Sequence, residues 1–131
     1  MTERTSAPVR GVSGQARVAP DRPALVMGDT VRTYGDLDDR ASRLAAVLGA
    51  LGAGPGHPVA TILPNGIEAF EVATAAAMLN APYLPVNWHL RADELAYILA
   101  DADVAVVVGH EGHRDDLAAA LERYPAGSLF P

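Results

Sequence analysis

Apolar residues recur along the chain at two spacings, and the two spacings predict different elements. Over residues 33–52 they repeat every three or four positions, which predicts an amphipathic helix with a stripe of leucine and alanine. The same spacing predicts further helices over about 67–80, 92–102 and 114–124. We therefore expect four helices, each with an apolar side that packs on a core.

Short apolar runs lie between these helices. Residues 59–64, 83–86 and 104–109 are runs of the kind that is buried in a parallel sheet. Before the first helix, residues 24–27 and 31–34 flank a Gly-Asp pair and predict a hairpin. The expected order is a short β-hairpin followed by β-α-β-α-β-α, which favours an α/β fold with a mainly parallel sheet and right-handed crossovers.

Two of the predicted helices begin with capping residues. Thr33 is an N-cap candidate, and Asp36 stands three residues later as a short-armed version of the capping-box acid. Asn65 is the corresponding candidate for the second helix, with Glu68 placed to reach back to it. We therefore expect Asn65 to cap the second helix, which begins at about Ile67.

Length and composition are those of an ordinary globular domain. The chain has 131 residues, half of them hydrophobic, and one domain usually has roughly 100–200 residues. It has no cysteine, which excludes disulfides and thiolate metal sites and leaves the cytoplasm as the expected compartment. Acidic residues and prolines interrupt the apolar stretches, so no membrane span is expected. Residues 1–22 lack the apolar segment of a secretory signal, and we expect a flexible leader there, followed by one domain over 23–131.

The charges are unevenly distributed, and all the basic residues are arginine. Residues 1–22 have four arginines and two acids, net +2, and the remainder has six arginines and fourteen acids, net −8. No nucleic-acid partner is expected for so acidic a body, because phosphate contacts need a basic face. The absence of lysine excludes a P-loop lysine and any Schiff-base mechanism.

His110 and His113 are the only pair of residues in the sequence that raises the question of a metal site. Glu111 and Asp115 lie close to them in sequence, but a zinc motif such as H-E-x-x-H is absent. We favour the alternative, a solvated loop that leaves a strand and enters a helix. His57, between a glycine and a proline, is expected to lie exposed in a turn. No G-x-S-x-G, G-x-G-x-x-G or P-loop motif is present, so the residues assign no catalytic, cofactor-binding or metal-binding position.

The stretch from 82 to 94 combines prolines with polar residues and could be either an active-site lining or a scaffold joint. Pro82 and Pro85 bound a short predicted strand, and Asn87 can satisfy backbone groups at the turn after it. Trp88 is expected to cover the seam beside the third helix, and Glu94 suits the positive end of that helix dipole. We favour the scaffold interpretation.

Four pieces of the sequence form a pattern that is found in order in one superfamily. They are Thr33, Tyr34 and Leu37; then Pro64, Asn65 and Glu68; then residues 83–87; and then Glu94 and Leu95. With them, residues 22–110 resemble the N-terminal subdomain of the adenylate-forming, AMP-binding superfamily, and are most similar to bacterial acyl-CoA synthetases, the fatty-acid–CoA ligases. The turn over 87–90 looks closer to ligases of fatty or aromatic acids than to the adenylation domains of peptide synthetases.

This resemblance implies a chemistry that the matched residues do not themselves perform. Members of the superfamily activate a carboxylate with Mg-ATP and then transfer the acyl group to CoA. The resemblance places their phosphate loop, ATP and magnesium motifs and adenylation lysine outside the matched region, so ATP, Mg and CoA are implied for the family and none is expected to bind this chain. His89 stands where many relatives have arginine, and a neutral imidazole is a weaker phosphate partner than a guanidinium.

We therefore expect a partial N-terminal subdomain of an ATP-dependent acyl-CoA synthetase over residues 23–131, inactive alone. Two alternatives stay open: one half of a split ligase, and a stand-alone interaction module that has kept the scaffold. The partners expected are the later segments of the same kind of enzyme, or a second copy of the chain.

Overall fold

The computed structural model describes residues 11–129. The chain divides into two compact units between Arg40 and Ala41, a boundary that lies within the second helix. In chain order the elements are α1 (Gly11–Val18), β1 (Pro23–Met27), β2 (Thr30–Thr33), α2 (Tyr34–Ala50), β3 (Val59–Ile62), α3 (Ile67–Met78), β4 (Tyr83–Pro85), α4 (Ala92–Asp101), β5 (Val106–Gly109), a 3-10 turn (Glu111–His113), α5 (Arg114–Arg123) and β6 (Gly127–Leu129).

The predicted α/β fold is confirmed, including the hairpin and the alternation of strands and helices after it. The sequence pattern did not predict α1, the 3-10 turn or β6. The expected leader over 1–22 is helical over Gly11–Val18, whereas residues 1–10 lie outside the described residues. Helix α1 was missed because two of its eight residues, Gly11 and Gly14, are glycine, which disfavours a helix.

In the first unit, β1 and β2 form an antiparallel hairpin with Met27 opposite Thr30. Gly28 occupies the turn with φ +56°, a conformation that favours glycine, which explains the position of the predicted turn. The start of α2 is held to the preceding chain, since the backbone N–H of Gly35 donates to the Pro20 carbonyl oxygen at 2.9 Å. A Cβ at position 35 would lie 3.2 Å from that oxygen, so glycine is favoured there.

The predicted cap of α2 is confirmed as a reciprocal capping box. The backbone N–H of Asp36 donates to Thr33 Oγ1 at 3.1 Å, and the backbone N–H of Thr33 donates to Asp36 Oδ2 at 3.2 Å. Two backbone donors at the helix start are thereby satisfied. The helix ends at Ala50, so Leu51, the last residue of the predicted stripe, lies beyond it and is exposed.

The second unit is built on a four-stranded parallel sheet with the strand order β4-β3-β5-β6. The chain passes from β3 to β4 on one side and then crosses to β5 on the other side of β3. Right-handed crossovers in opposite directions place their helices on opposite faces of the sheet. Two apolar cores result, one under α2 and α3 and one under α4 and α5.

Alternate residues of the central strands supply the two cores. Val59 of β3 contributes to the core under α2 and α3, and Ala60 and Ile62 of the same strand contribute to the core under α4 and α5. Every residue of β3 and β5 is buried, as expected for parallel strands covered on both faces. Pro85, which has no N–H, lies in β4, an edge strand of the sheet as far as the structure describes it.

Helix α3 ends two residues earlier than the sequence pattern predicts. The pattern extends to Asn80, but the helix stops at Met78 and Asn80 has φ +52°, a left-handed conformation that terminates helices. Across residues 11–129, no helix combines the length and apolar character needed to cross a bilayer.

Candidate functional site

The carboxyl ends of β4, β3 and β5 lie side by side at one edge of the sheet. The loops that follow these strands carry Asn87, Asn65 and His110 respectively. Because the crossovers from β3 and β4 run in opposite directions, this edge contains the topological switch point of the sheet. Open α/β sheets bind ligands in the crevice outside such strand ends. Within the described part of the chain, this edge of the sheet is therefore the candidate location of a binding site.

An open groove of about 580 Å³ lies at this edge, between the start of α3 and the turn after β4. Its volume is within the roughly 300–1,000 Å³ that is usual for small-molecule sites. Its apolar wall includes Leu63, Ala69, Phe70, Ala73, Val86 and Trp88. Its polar groups belong to Thr61, Asn65, Tyr83 and Asn87, and no lining residue is an acid, an arginine or a histidine. The groove is therefore largely apolar, with a few neutral polar groups.

A smaller cavity of about 260 Å³ continues the crevice toward β5. It shares Leu63, Asn65 and Gly66 with the groove and adds Glu68 and His110. The acid and the imidazole are thus confined to the end of the crevice beside β5.

The side chains of Thr61 and Tyr83 form the one polar pair that links two strands beside the groove among the hydrogen bonds described for residues 11–129. Their hydroxyl oxygens are 3.0 Å apart, and either hydroxyl could donate. Thr61 is buried at 3% exposure, whereas Tyr83 is half-buried. The pair satisfies a buried hydroxyl that would otherwise be costly.

The turn after β4 is held by its own side chains, as the scaffold interpretation predicts. The backbone N–H of Val86 donates to the Thr61 carbonyl oxygen at 2.8 Å, which continues the pairing with β3. Asn87 Oδ1 accepts from the backbone N–H of His89 at 3.0 Å. The backbone N–H of Arg91 donates to Glu94 Oε2 at 2.9 Å, which closes the start of α4. The polar residues of this turn therefore satisfy backbone groups.

The Trp88 ring packs against two histidine rings, both of which are tilted relative to it. Its ring centroid lies 3.7 Å from that of His89 and 5.3 Å from that of His113. It also lines the groove and is 36% exposed, so its ring is shared between the histidines and an open surface. That Trp88 covers the seam beside the third helix stays a prediction.

His110 and His113 lie between β5 and α5, in the loop that the sequence predicts. His110 Nδ1 accepts from the backbone N–H of Gly112 at 3.0 Å, so this nitrogen is engaged within the loop. Arg114 and Glu111 form an exposed ion pair at 3.7 Å. Within residues 11–129, no group of three or more His, Cys, Asp or Glu residues is arranged to hold a metal ion. His57 is exposed in its turn, as predicted.

The predicted cap of α3 by Asn65 is wrong. The N-cap residue is Gly66, in an extended conformation, and no side chain caps this helix end. Asn65 instead lines the groove, and Glu68 Oε2 would lie 3.0 Å from a Cβ at Gly66. The helix begins at Ile67, as the pattern predicts, so its N-cap position is Gly66 and Asn65 lies one residue before it.

Two side chains with shifted pKa values do not line the groove. The pKa of Asp36 is lowered from 3.8, first by the hydrogen bond from the Thr33 backbone and then by the one with the Thr33 side chain. The pKa of Tyr124 is raised from 10.0 by burial and then by its hydrogen bond to Asp103. The Tyr124 hydroxyl donates to Asp103 Oδ1 at 3.1 Å, which joins the end of α5 to the turn after α4. Both arrangements serve the scaffold.

Comparison with known proteins gives the family. A family model for AMP-binding enzymes matches residues 12–127, which is most of the chain. The chain belongs to the AMP-binding enzyme family.

The relatives within this family include both acid–CoA ligases and peptide synthetases. Feruloyl-CoA synthase from Amycolatopsis sp. is 37% identical over 119 residues, covering 88% of this chain and 24% of that protein. Delta-poly-L-ornithine synthetase from Acinetobacter baumannii is 33% identical over 103 residues, covering 79% of this chain and 8% of that protein. A solved structure described as a long-chain-fatty-acid CoA ligase from Rhodopseudomonas palustris superposes with a TM-score of 0.83 at 34% identity, covering 92% of this chain and 31% of that one.

The chain spans about a quarter of the length of the feruloyl-CoA synthase that it matches. The family match and the superposition confirm the resemblance noted in the sequence and the α/β fold. The part matched by this chain is the N-terminal part of these longer proteins. The groove itself was not predicted. Phe70 lies on a helix that is apolar on nearly every side, so the sequence could not show which residue faces the open edge.

Proposed function

We propose that this AMP-binding chain supplies the first part of the scaffold of an ATP-dependent acid–CoA ligase. In that reaction a carboxylate is adenylated and the acyl group then passes to the thiol of CoA. The observation that carries the proposal is the 37% identity to feruloyl-CoA synthase over 88% of the chain. The superposition on the long-chain-fatty-acid CoA ligase, at 34% identity, supports it.

The residues of this chain are proposed to act by support. The turn over 86–91 is locked by backbone hydrogen bonds to Thr61, Asn87 and Glu94, so it holds a fixed shape at the carboxyl edge of the sheet. The groove contains no basic side chain that could pair with a phosphate. The proposal assigns no residue of the chain to ATP, Mg or CoA, and no step is derived through them.

Adenylation of an amino acid in a peptide synthetase is the second candidate, because Delta-poly-L-ornithine synthetase is 33% identical over 103 residues. The turn over 87–90 favours the CoA ligase. Its first residue is the neutral Asn87, whereas the resemblance implies that peptide-synthetase domains more often have an acidic residue near this position. In this chain the Asn87 side chain accepts the His89 N–H, a bond that helps to set the turn.

The partners and the compartment belong to the same proposal. Later segments of an acid–CoA ligase, on the same or a separate chain, are the proposed partners, and a stand-alone interaction module remains the alternative to them. The cytoplasm is the proposed compartment, supported by a sequence without cysteine.

A chimera tests the proposal. The segment of the Amycolatopsis feruloyl-CoA synthase that matches this chain is replaced by residues 12–127, the part that the family model matches. We expect the chimera to form an acyl-CoA from ATP, CoA and ferulate, because the segment supplies the same scaffold.

The matched control places the same residues in the adenylation region of Delta-poly-L-ornithine synthetase, with ornithine-dependent pyrophosphate exchange as the assay. Activity in that chimera together with a folded but inactive CoA-ligase chimera would overturn the proposal in favour of the peptide synthetase.

A further inference from the structure

We propose that the groove between α3 and β4 binds an uncharged aromatic ring of a small molecule. The inference goes beyond the ligase assignment, because it concerns binding by this chain's own residues and involves no ATP or CoA. The groove lies outside the carboxyl ends of β3 and β4, at the edge where open α/β sheets bind ligands.

Two aromatic side chains expose their surfaces in this groove. Phe70 is 60% exposed and Trp88 is 36% exposed, and both line the same cavity. A third aromatic residue, Tyr83, lines it with a half-buried ring. Aromatic rings are favoured partners for such surfaces, because stacked and edge-to-face ring pairs gain more than their buried area alone supplies.

The absence of charged side chains from the groove lining also restricts which ligands can bind. No acidic, arginine or histidine side chain lines the groove, so a phosphate or a carboxylate would leave water without a charged partner there. The Thr61 and Tyr83 hydroxyls form a pair at 3.0 Å. The hydroxyl that accepts in this pair keeps its own hydrogen, so the pair can donate to an oxygen substituent on a bound ring.

An aliphatic chain fits the same lining less well. Methylene groups offer no acceptor to the second hydroxyl hydrogen of the Thr61–Tyr83 pair or to the Asn65 and Asn87 amide N–H groups, and covering such donors is costly away from water. A substituted aromatic ring satisfies both the aromatic wall and the polar groups. The lining of the groove therefore favours an oxygen-substituted aryl group over an alkyl chain.

The test is a titration of the full chain with methyl para-hydroxyphenylacetate, a neutral aryl ester. The chain has one tryptophan, so the indole N–H of Trp88 gives a single NMR signal that reports on the groove. We expect a saturable shift of this signal. Phe70→Ala should weaken binding about tenfold, through loss of one ring contact and its apolar area. Tyr97→Ala is the matched control: Tyr97 is 71% exposed on α4 and does not line the groove, so binding should be unchanged.

Methyl octanoate, a neutral alkyl ester, is the second probe and should bind about tenfold more weakly than the aryl ester. Phe70→Leu keeps the apolar bulk and removes the ring, so it should weaken only the aryl ester. Circular dichroism establishes that each variant is folded. Equal binding of both esters, equal losses in Phe70→Ala and Tyr97→Ala, or no saturable shift overturns the inference. The ligase chimera is assayed separately, so either proposal can fail without the other.

Discussion

The hydroxyl oxygens of Thr61 and Tyr83 lie 3.0 Å apart and join β3 to its neighbour β4 beside the groove. Because Thr61 is buried, Tyr83→Phe should leave the Thr61 hydroxyl without this partner and lower the free energy of unfolding by about 1–2 kcal/mol. Thr61→Val together with Tyr83→Phe removes both hydroxyls and should cost less than the sum of the single changes. Urea melts of the four proteins test this, and strictly additive losses would show that the two hydroxyls are not coupled.

The capping carboxylate of α2 should make stability depend on pH in the acidic range. The pKa of Asp36 is lowered in the folded chain, chiefly by the backbone hydrogen bond from Thr33, so folding favours the charged form. Its contribution is therefore complete above the ordinary pKa of 3.8 and is lost as the pH falls through the lowered value.

Two variants isolate this effect. Asp36→Asn removes the titrating group. The difference in unfolding free energy between this variant and the parent chain should therefore shrink as the pH falls. Thr33→Val removes the side-chain bond but keeps the backbone one, so the Asp36 pKa should rise part of the way back toward 3.8. An NMR titration of the Asp36 carboxyl carbon measures this, and an unchanged pKa in Thr33→Val would contradict the assigned cause.

Leu48 is the residue of α2 at which truncation should be most damaging. It is fully buried in the core under α2 and α3, so Leu48→Ala should lower the free energy of unfolding by about 2–5 kcal/mol. Leu44, in the same predicted stripe, is only partly buried and should cost less. Val47→Ala is the control, since Val47 is 45% exposed and should cost less than about 1 kcal/mol. Similar midpoints for Leu48→Ala and Val47→Ala in denaturant would contradict the packing described.

The chain by itself should not form an acyl-adenylate. Its sequence has no lysine and no phosphate-loop motif, and the groove has no basic side chain to stabilise a transferring phosphoryl group. Pyrophosphate exchange with a panel of fatty and aromatic acids should stay at the level of a no-enzyme control. Feruloyl-CoA synthase provides the positive control, and exchange by this chain above background would show that it carries adenylation chemistry of its own.

The purified chain should self-associate through exposed apolar surface. Val26 and Val31 are cross-strand partners in the hairpin and are 67% and 46% exposed, and a two-stranded hairpin is only marginally stable without a covering partner. Sedimentation at several concentrations should show association, weakened when both valines are changed to threonine. The net charge of −6 opposes association but does not cover the patch. A monomer at every concentration would contradict this prediction and would favour the stand-alone module.

The sequence alone determined the order and type of most elements, because their apolar period is local. The helix from Tyr34 to Ala50 and the wholly buried strands β3 and β5 follow from spacings within a few residues. The capping box of Thr33 and Asp36 was equally accessible, since both partners lie within one helical turn. The superfamily could also be recognised from short pieces in order, before any packing was known.

Tertiary structure alone decided the candidate site. The groove unites Thr61 with Tyr83, and Phe70 with Trp88, which lie on different elements and meet only because β4 pairs with β3 and α3 covers them. No period in the sequence encodes that pairing. The N-cap of α3 is Gly66, and Asn65, one residue earlier, lines the groove. Which of these two residues occupies the cap position depends on the path of the loop that leaves β3. Local patterns specify which residues seek burial, whereas strand order and crossover direction determine which of them share a surface.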